Sequence, residues 1–216
     1  MAFSIIYDKP EHLTQLSNGK SKGNVNNNAS HRGMAKAVFL DRDGVVNVDH
    51  GYVSESEKFE FIDGVFTACK RFYDAGYLIV IVTNQSGIGR GYYDEMQFED
   101  LSDWMVEQFT QHGVPIASVH YCPHHPEQAN KAYLKACDCR KPQPGMLLDA
   151  IKQHNIDPAL SVMVGDKVSD MGAARSANVQ HKFLVRSGQT FSDQAIESAD
   201  AVYDDLLAVA KAFLAQ

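Results

Sequence analysis

From Ala35 onward, short apolar runs rich in β-branched residues alternate with longer stretches in which apolar residues recur every three or four positions. This alternation is the pattern of strand-helix-strand units around a parallel sheet. The runs predict strands at 37–40, 78–83, 118–121, 161–165 and 183–186, with a short edge at 201–203. The longer stretches predict helices at about 64–75, 94–112, 144–155, 169–177 and 204–215. Pro144 stands where a first-turn proline is tolerated, and Gly76 and Gly113 where helices commonly stop. The expected fold is α/β, a Rossmann-like open and mostly parallel sheet with helices on both faces. One long stretch, 122–143, has neither period, and such a loop inside a compact domain usually carries function or a metal staple.

The amino end departs from this pattern. From about Ser17 to Gly33 the chain reads SNGKSKGNVNNNASHRG, with too little apolar surface to offset chain entropy. Residues 1–33 are therefore expected to be a disordered leader and 34–216 the folded domain. Met34 directly precedes the first predicted strand, which makes it a candidate true start and the leader an upstream misreading or a remnant.

Composition narrows the function. The chain has 216 residues, 44% of them hydrophobic, enough for one domain and too few for two full ones. Its net charge is −7, and the leader holds four cations against two anions, leaving the rest at −9. Nucleic acid is thus disfavoured as a partner, and any phosphate must be met by local cations. No apolar run is long enough for a membrane helix, and the start lacks a basic then apolar signal pattern. A cytoplasmic monomer without membrane contact is expected. Four cysteines are too few for a disulfide scaffold, and three of them lie together beside His124, which suggests metal in a reducing compartment.

Ligands of open parallel sheets bind beyond the carboxyl ends of the strands, and polar clusters follow four of the predicted strands. They are Asp41-Arg42-Asp43-Gly44, Thr83-Asn84-Gln85-Ser86-Gly87, the Cys/His loop and Gly165-Asp166-Lys167. Taken alone, an Asp before Gly is often only a turn or a cap. Two carboxylates at one strand mouth, joined by Asp166 from another, instead make a hard-oxygen site suited to Mg2+. Thr83 and Lys141 offer a hydroxyl and a compact positive charge for a phosphoryl group.

These ordered motifs, with Lys141 ahead of Pro142 and Gly165-Asp166-x-x-x-Asp170, resemble the haloacid dehalogenase superfamily of phosphotransferases. The resemblance implies the haloacid dehalogenase fold, with Asp41 attacking phosphorus to form an aspartyl-phosphate. It implies that Asp43 protonates the leaving oxygen and then activates water, while Thr83 and Lys141 hold the transferring group. Mg2+ would be held by Asp41, the Asp43 carbonyl and Asp166, with Asp170 behind them. Val45 stands where the superfamily often has Thr, a departure that leaves the carboxylates untouched. No insertion after Thr83 is large enough for a mobile cap domain.

Cys122-Pro-His124, twelve residues and Cys137-Asp-Cys139 supply three thiols and an imidazole, a closed tetrahedral set for structural Zn2+. Buried free cysteines are the plain alternative, and His125 rivals His124 as the fourth ligand. The expected zinc loop spans 122–140. Together with Asp49-His50-Gly51-Tyr52 and Arg140-Lys141-Pro142, it resembles the D-glycero-D-manno-heptose 1,7-bisphosphate phosphatases and, more distantly, the histidinol-phosphate phosphatases. That resemblance implies removal of the C7 phosphate of a small sugar bisphosphate, on the route to nucleotide-activated heptose and lipopolysaccharide. It implies substrate contacts at Asp49, His50, Gly51, Tyr52, Thr83, Asn84, Gln85, Ser86, Arg140, Lys141 and Lys167. Histidinol phosphate is the alternative substrate, and a zinc-stabilised binding module the alternative of a different class.

Overall fold

The computed structural model describes residues 3–7 and 33–215 of the chain. Every residue of β2 (Lys36–Leu40) after the first is buried, and the strand's side chains alternate between two cores. Val38 and Leu40 face one core, Ala37 and Phe39 the other, as strict period-two alternation demands in a strand covered on both sides. β3 (Tyr77–Asn84) and β5 (Val162–Gly165) pair with β2 in parallel on either side. Outside them run β4 (Ile116–Cys122), β6 (His181–Val185) and β7 (Ala201–Tyr203), all parallel.

On the first face lie α1 (Val65–Asp74), α3 (Glu95–Gln111) and α7 (Leu206–Phe213), which bury Phe72, Phe98, Phe109 and Leu206. On the second lie α4 (Gly145–His154), α5 (Val168–Ser176) and α6 (Asp193–Ser198), contributing Met146, Leu147, Met171 and Ala195. α3 opens with a capping box in which Asp94 accepts from the Gln97 N–H and the Gln97 side chain accepts from the Asp94 N–H. Pro144 precedes α4 directly, and Gly76 and Gly113 take positive φ just after α1 and α3, as their sequence positions predict. A further short helix, α2 (Ser86–Arg90), lies outside the helices that the sequence predicts.

The amino end corrects one expectation. Phe3–Ile6 forms β1, antiparallel to β4 with Phe3 opposite Tyr121 and Ile6 opposite Ser118, so the predicted leader is not unstructured throughout. Phe3 packs against the Tyr121 ring at 5.4 Å, and the Tyr7 hydroxyl donates to Asp103. A four-residue apolar stretch carries too little signal alone; pairing to an edge supplies what it lacks. The remainder of the expected leader, 1–2 and 8–32, lies outside the described residues.

The sheet order is β1-β4-β3-β2-β5-β6-β7. The chain runs from β2 outward through β3 and β4, then returns to the other side of β2 for β5, so the topological switch lies between β2 and β5. In such sheets the crevice at that point is where ligands bind.

Candidate active site

Asp41 is the first residue beyond β2 and Asp166 the first beyond β5, so the switch point brings two acids together from the strands that flank it. Both are buried, at 5% and 1% exposure. Gly44 and Gly188 close over the Asp166 carboxylate so tightly that a Cβ at either position would overlap it. Gly44 also takes φ +97, a conformation that a side chain would strain. Burial, opposed by Lys141, pushes the Asp41 carboxyl up to about 7, and burial also raises Asp166 against the pull of Lys167.

Lys141 reaches this crevice from the loop before α4. Its Nζ lies 2.9 Å from Asp41 Oδ1 and 2.6 Å from Asp170 Oδ1, and donates to the Val82 carbonyl at 2.8 Å. Burial pulls the Lys141 pKa down, but Asp170 and Asp41 outweigh it and hold the amine protonated. The backbone of Lys141 is pinned to the end of β3 by the Asn84 side chain, which accepts from its N–H at 3.0 Å and donates to its carbonyl at 3.1 Å.

Asp43 is set apart from these acids by its own partners. Arg42 donates to Oδ1 at 2.9 Å, Asn47 to Oδ1 at 3.1 Å and Gln85 to Oδ2 at 3.0 Å. Burial acts to raise the Asp43 pKa, but Arg42 foremost, with Asn47 and Gln85, holds it below the usual carboxylate range. Gln85 also donates to Thr83 Oγ1 at 2.8 Å and accepts from the Tyr93 hydroxyl, so one amide orients the acid and the hydroxyl. The two aspartates thus sit two residues apart in opposite electrostatic conditions, which suits them to different tasks.

The oxygens expected to hold Mg2+ can take a cation. Lys167 Nζ lies among them, 2.9 and 3.1 Å from the Asp166 oxygens, 3.4 Å from the Asp43 carbonyl and 3.9 Å from Asp41 Oδ2. Carboxylate oxygens of Asp41, Asp166 and Asp170 also fall within 4.8 Å of one another. A hard divalent ion fits a donor set of this kind.

The second cluster lies in the long loop. Cys122 is the last residue of β4, and its Sγ is 3.1 Å from Cys139, 3.5 Å from Cys137 and 3.7 Å from His124 Nδ1. These separations are too long for a disulfide bond of about 2.05 Å and close to the roughly 3.7 Å edge of a tetrahedron around Zn2+. Hydrogen bonding, foremost with Cys122, draws the Cys139 thiol below its ordinary value, toward the thiolate form that a cation binds. His125 turns away, its Nδ1 accepting from the backbone of Glu127 and Gln128, which leaves His124 as the imidazole of the set.

One cleft of about 460 Å3 collects Asp41, Asp43, Asp49, Gly51, Tyr52, Thr83, Asn84, Gln85, Ser86, Arg140, Lys141 and Lys167. Asp166 lies beneath its floor, against Lys167 and the Gln189 N–H. His50 is not among the residues that line the cleft: its side chain is half exposed and pairs with Glu60 at 3.0 Å. The Asp49-Gly51 turn, in which the Gly51 N–H donates to Asp49, aims the residues on either side of His50 inward. Sequence reasoning missed Arg90, Tyr93, Ser169 and Gln189, which also line the cleft. Arg90 and Tyr93 follow a strand-end motif within one or two turns, and Gln189 belongs to a fifth strand-end loop, after β6; that position was the available signal.

The carboxyl-terminal part of the chain, 138–209, matches a family model described as "HAD-hyrolase-like". A relative from Photorhabdus laumondii, named D-glycero-beta-D-manno-heptose-1,7-bisphosphate 7-phosphatase, is 49% identical over 82% of this chain and 94% of its own. The chain belongs to this heptose-bisphosphate phosphatase family. A second member, from Escherichia coli strain K12, is 51% identical over 79% of this chain and 89% of its own. The D,D-heptose 1,7-bisphosphate phosphatase of B. bronchiseptica, solved with magnesium and phosphate, superimposes with a TM-score of 0.71 at 31% identity, covering 83% and 98% of the two chains. Family membership accounts for the seven-stranded, mostly parallel sheet and for a Cys/His cluster compatible with zinc.

Proposed function

We propose that this chain is a cytoplasmic, monomeric, Mg2+-dependent phosphatase acting on D-glycero-β-D-manno-heptose 1,7-bisphosphate, with Zn2+ as a structural staple. It removes the C7 phosphate and leaves heptose 1-phosphate for nucleotide activation toward lipopolysaccharide. The observation that carries this reading is the layout of one cleft. A buried acid, Asp41, lies against Lys141 at one end, and the wall carries Arg140, whose guanidinium donates to the His124 carbonyl at 3.2 Å. The first arrangement suits a transferring phosphoryl group, the second a phosphate that stays on the sugar.

Asp41 is the nucleophile: its carboxylate attacks phosphorus, the P–O bond to the C7 oxygen breaks, and an aspartyl-phosphate forms. Lys141 and Thr83 hold the phosphoryl oxygens as charge shifts toward them, so most of the catalysis is positioning and neutralisation. Asp43, ionised in the free protein, takes up a proton as the phosphate anion approaches and passes it to the departing C7 oxygen. It then draws the proton from the water that cleaves the aspartyl-phosphate, for which the carboxylate must be ionised. Asp41, Asp166 and the Asp43 carbonyl would hold Mg2+, which supplies charge neutralisation between the acids and the phosphate. Cys122, His124, Cys137 and Cys139 would hold Zn2+ with no open position, so that ion takes no part in the chemistry.

All of these groups come from one chain, which supports action as a monomer. Among the described residues no helix is long and apolar enough to cross a membrane. The deciding experiment measures Mg2+-dependent phosphate release from the β- and α-anomers of the bisphosphate and from histidinol phosphate. The β-bisphosphate is expected to lead by at least about tenfold in kcat/KM, the worth of one charge-assisted contact. Preference for histidinol phosphate would overturn the substrate assignment, and no Mg2+-dependent release at all would leave a binding module.

A further inference from the structure

Arg90 is the last residue of α2 and lines the same cleft as Asp41, Lys141 and Arg140. Its Nε is buried and has no hydrogen-bond partner. Among the described residues no carboxylate pairs with it. The other cations of the cleft are committed: Lys141 to Asp41 and Asp170, Lys167 to Asp166 and Asp49. Arg90 and Arg140 line one cleft and neither is paired with a carboxylate among the described residues, so a phosphate dianion entering there meets two cations without an ion-pair partner.

The surroundings fix where that guanidinium can be. It lies over the Tyr52 ring at 5.7 Å, and Tyr52 meets Tyr92 edge-on at 4.7 Å. Tyr52 holds φ +54, rare for a bulky residue, so the ring's place at the cleft mouth is imposed by the fold. From the other side the Asn130 N–H, in the Cys/His loop, donates to the Gly89 carbonyl at 2.6 Å. The same loop carries Arg140 directly after Cys139, so one loop positions both guanidiniums.

We infer that Arg90 is a specificity-determining residue that, together with Arg140, grips the phosphate group retained by the substrate. The inference rests on the reading of the substrate as a sugar bisphosphate. Two planar donor forks neutralise a phosphate dianion and constrain its orientation as one fork cannot. Tyr52 acts as the aromatic platform beside which the Arg90 guanidinium is held at the cleft.

The test compares wild type with Arg90→Gln and Arg90→Lys in the full, metal-loaded chain. Substrates are the heptose 1,7-bisphosphate and 4-nitrophenyl phosphate, which has no second phosphate; binding of heptose 1-phosphate is measured by calorimetry. Arg90→Gln is expected to lower kcat/KM on the bisphosphate by about tenfold or more, chiefly through KM, and several-fold less on the aryl ester. Heptose 1-phosphate binding should weaken to match, and Arg90→Lys, which keeps the charge and loses the fork, should fall between. Equal losses on the two substrates, or no loss, overturn the role of Arg90 where wild type itself prefers the bisphosphate. If wild type shows no such preference, the bisphosphate reading fails first and this inference with it. Should Arg90→Gln fold poorly, Arg90→Lys and its affinity for heptose 1-phosphate decide the same question by the same criteria.

Discussion

The Lys167 ammonium sits 2.9 Å from Asp166 Oδ1, at the focus of the oxygens from Asp41, Asp43 and Asp166 that would hold a divalent cation. Burial works against this charge, but Asp41 and Asp166 outweigh it and raise the Lys167 pKa. A divalent ion held by those oxygens would stand close to the Lys167 ammonium, and the two charges would repel each other.

Removal of the competing charge should therefore separate two affinities. Lys167→Met is expected to bind Mg2+ more tightly than wild type, on the order of tenfold, while binding inorganic phosphate more weakly. Calorimetric titration with each ligand checks this; a parallel loss of both would show that Lys167 supports the metal site instead of competing for it.

Asp41 offers a prediction in pH. Its folded pKa of about 7 exceeds the unfolded 3.8, so the folded protein binds more protons between those values and loses stability as pH rises through them. In metal-free protein, the difference in melting temperature between Asp41→Asn and wild type should move in favour of the variant from pH 5 to pH 7 and level off above about pH 7. Turnover by the variant should be abolished throughout, for want of the nucleophile. A pH-independent difference would mean that Asp41 is ionised across the whole range.

Asp43→Asn should be severe on the sugar phosphate, a loss within the range of about a hundred- to ten-thousandfold typical of general acid-base groups. Formation of the aspartyl-phosphate from an aryl ester needs little protonation of the leaving oxygen. A burst of aryl alcohol in rapid-mixing experiments should therefore survive in this variant. Its absence would assign Asp43 a role other than proton transfer.

How much of the fold and the site was legible in the sequence follows from the range of the interactions. Val38, Phe39 and Leu40 announce a doubly buried strand in three letters, and Asp41 and Asp43 announce a strand-end site because their chemistry is local. The partnership of Cys122 with Cys139 was legible because few residue types bind zinc. β1 was not, since Phe3 and Ile5 become a strand only by pairing with Val119 and Tyr121, more than a hundred positions away. Arg90 belonged to no motif that the sequence singled out, and a motif such as Asp49-His50-Gly51-Tyr52 does not say which of its side chains turns outward.

Cys139→Ser tests the loop that joins these parts. Loss of a thiolate from a closed site should lower zinc content well below the expected one ion per chain and destabilise the fold, because metal affinity at such a site is folding free energy. Metal analysis with thermal melting checks this. The retained sugar-phosphate contacts should suffer too, so KM for the bisphosphate should rise even in protein that remains folded.

The pairing of Phe3–Ile6 with β4 bears on how the molecule stays dispersed. A shortened form beginning at Met34 would leave one side of the seven-residue β4 with unpaired N–H and C=O groups, a ready template for strands of other molecules. Its exposed surface would include Tyr121 and the flank of His124, which Phe3 now covers with ring centroids 5.7 Å apart at the histidine. The four-residue β1 thus covers part of that longer edge and presents a shorter one in its place.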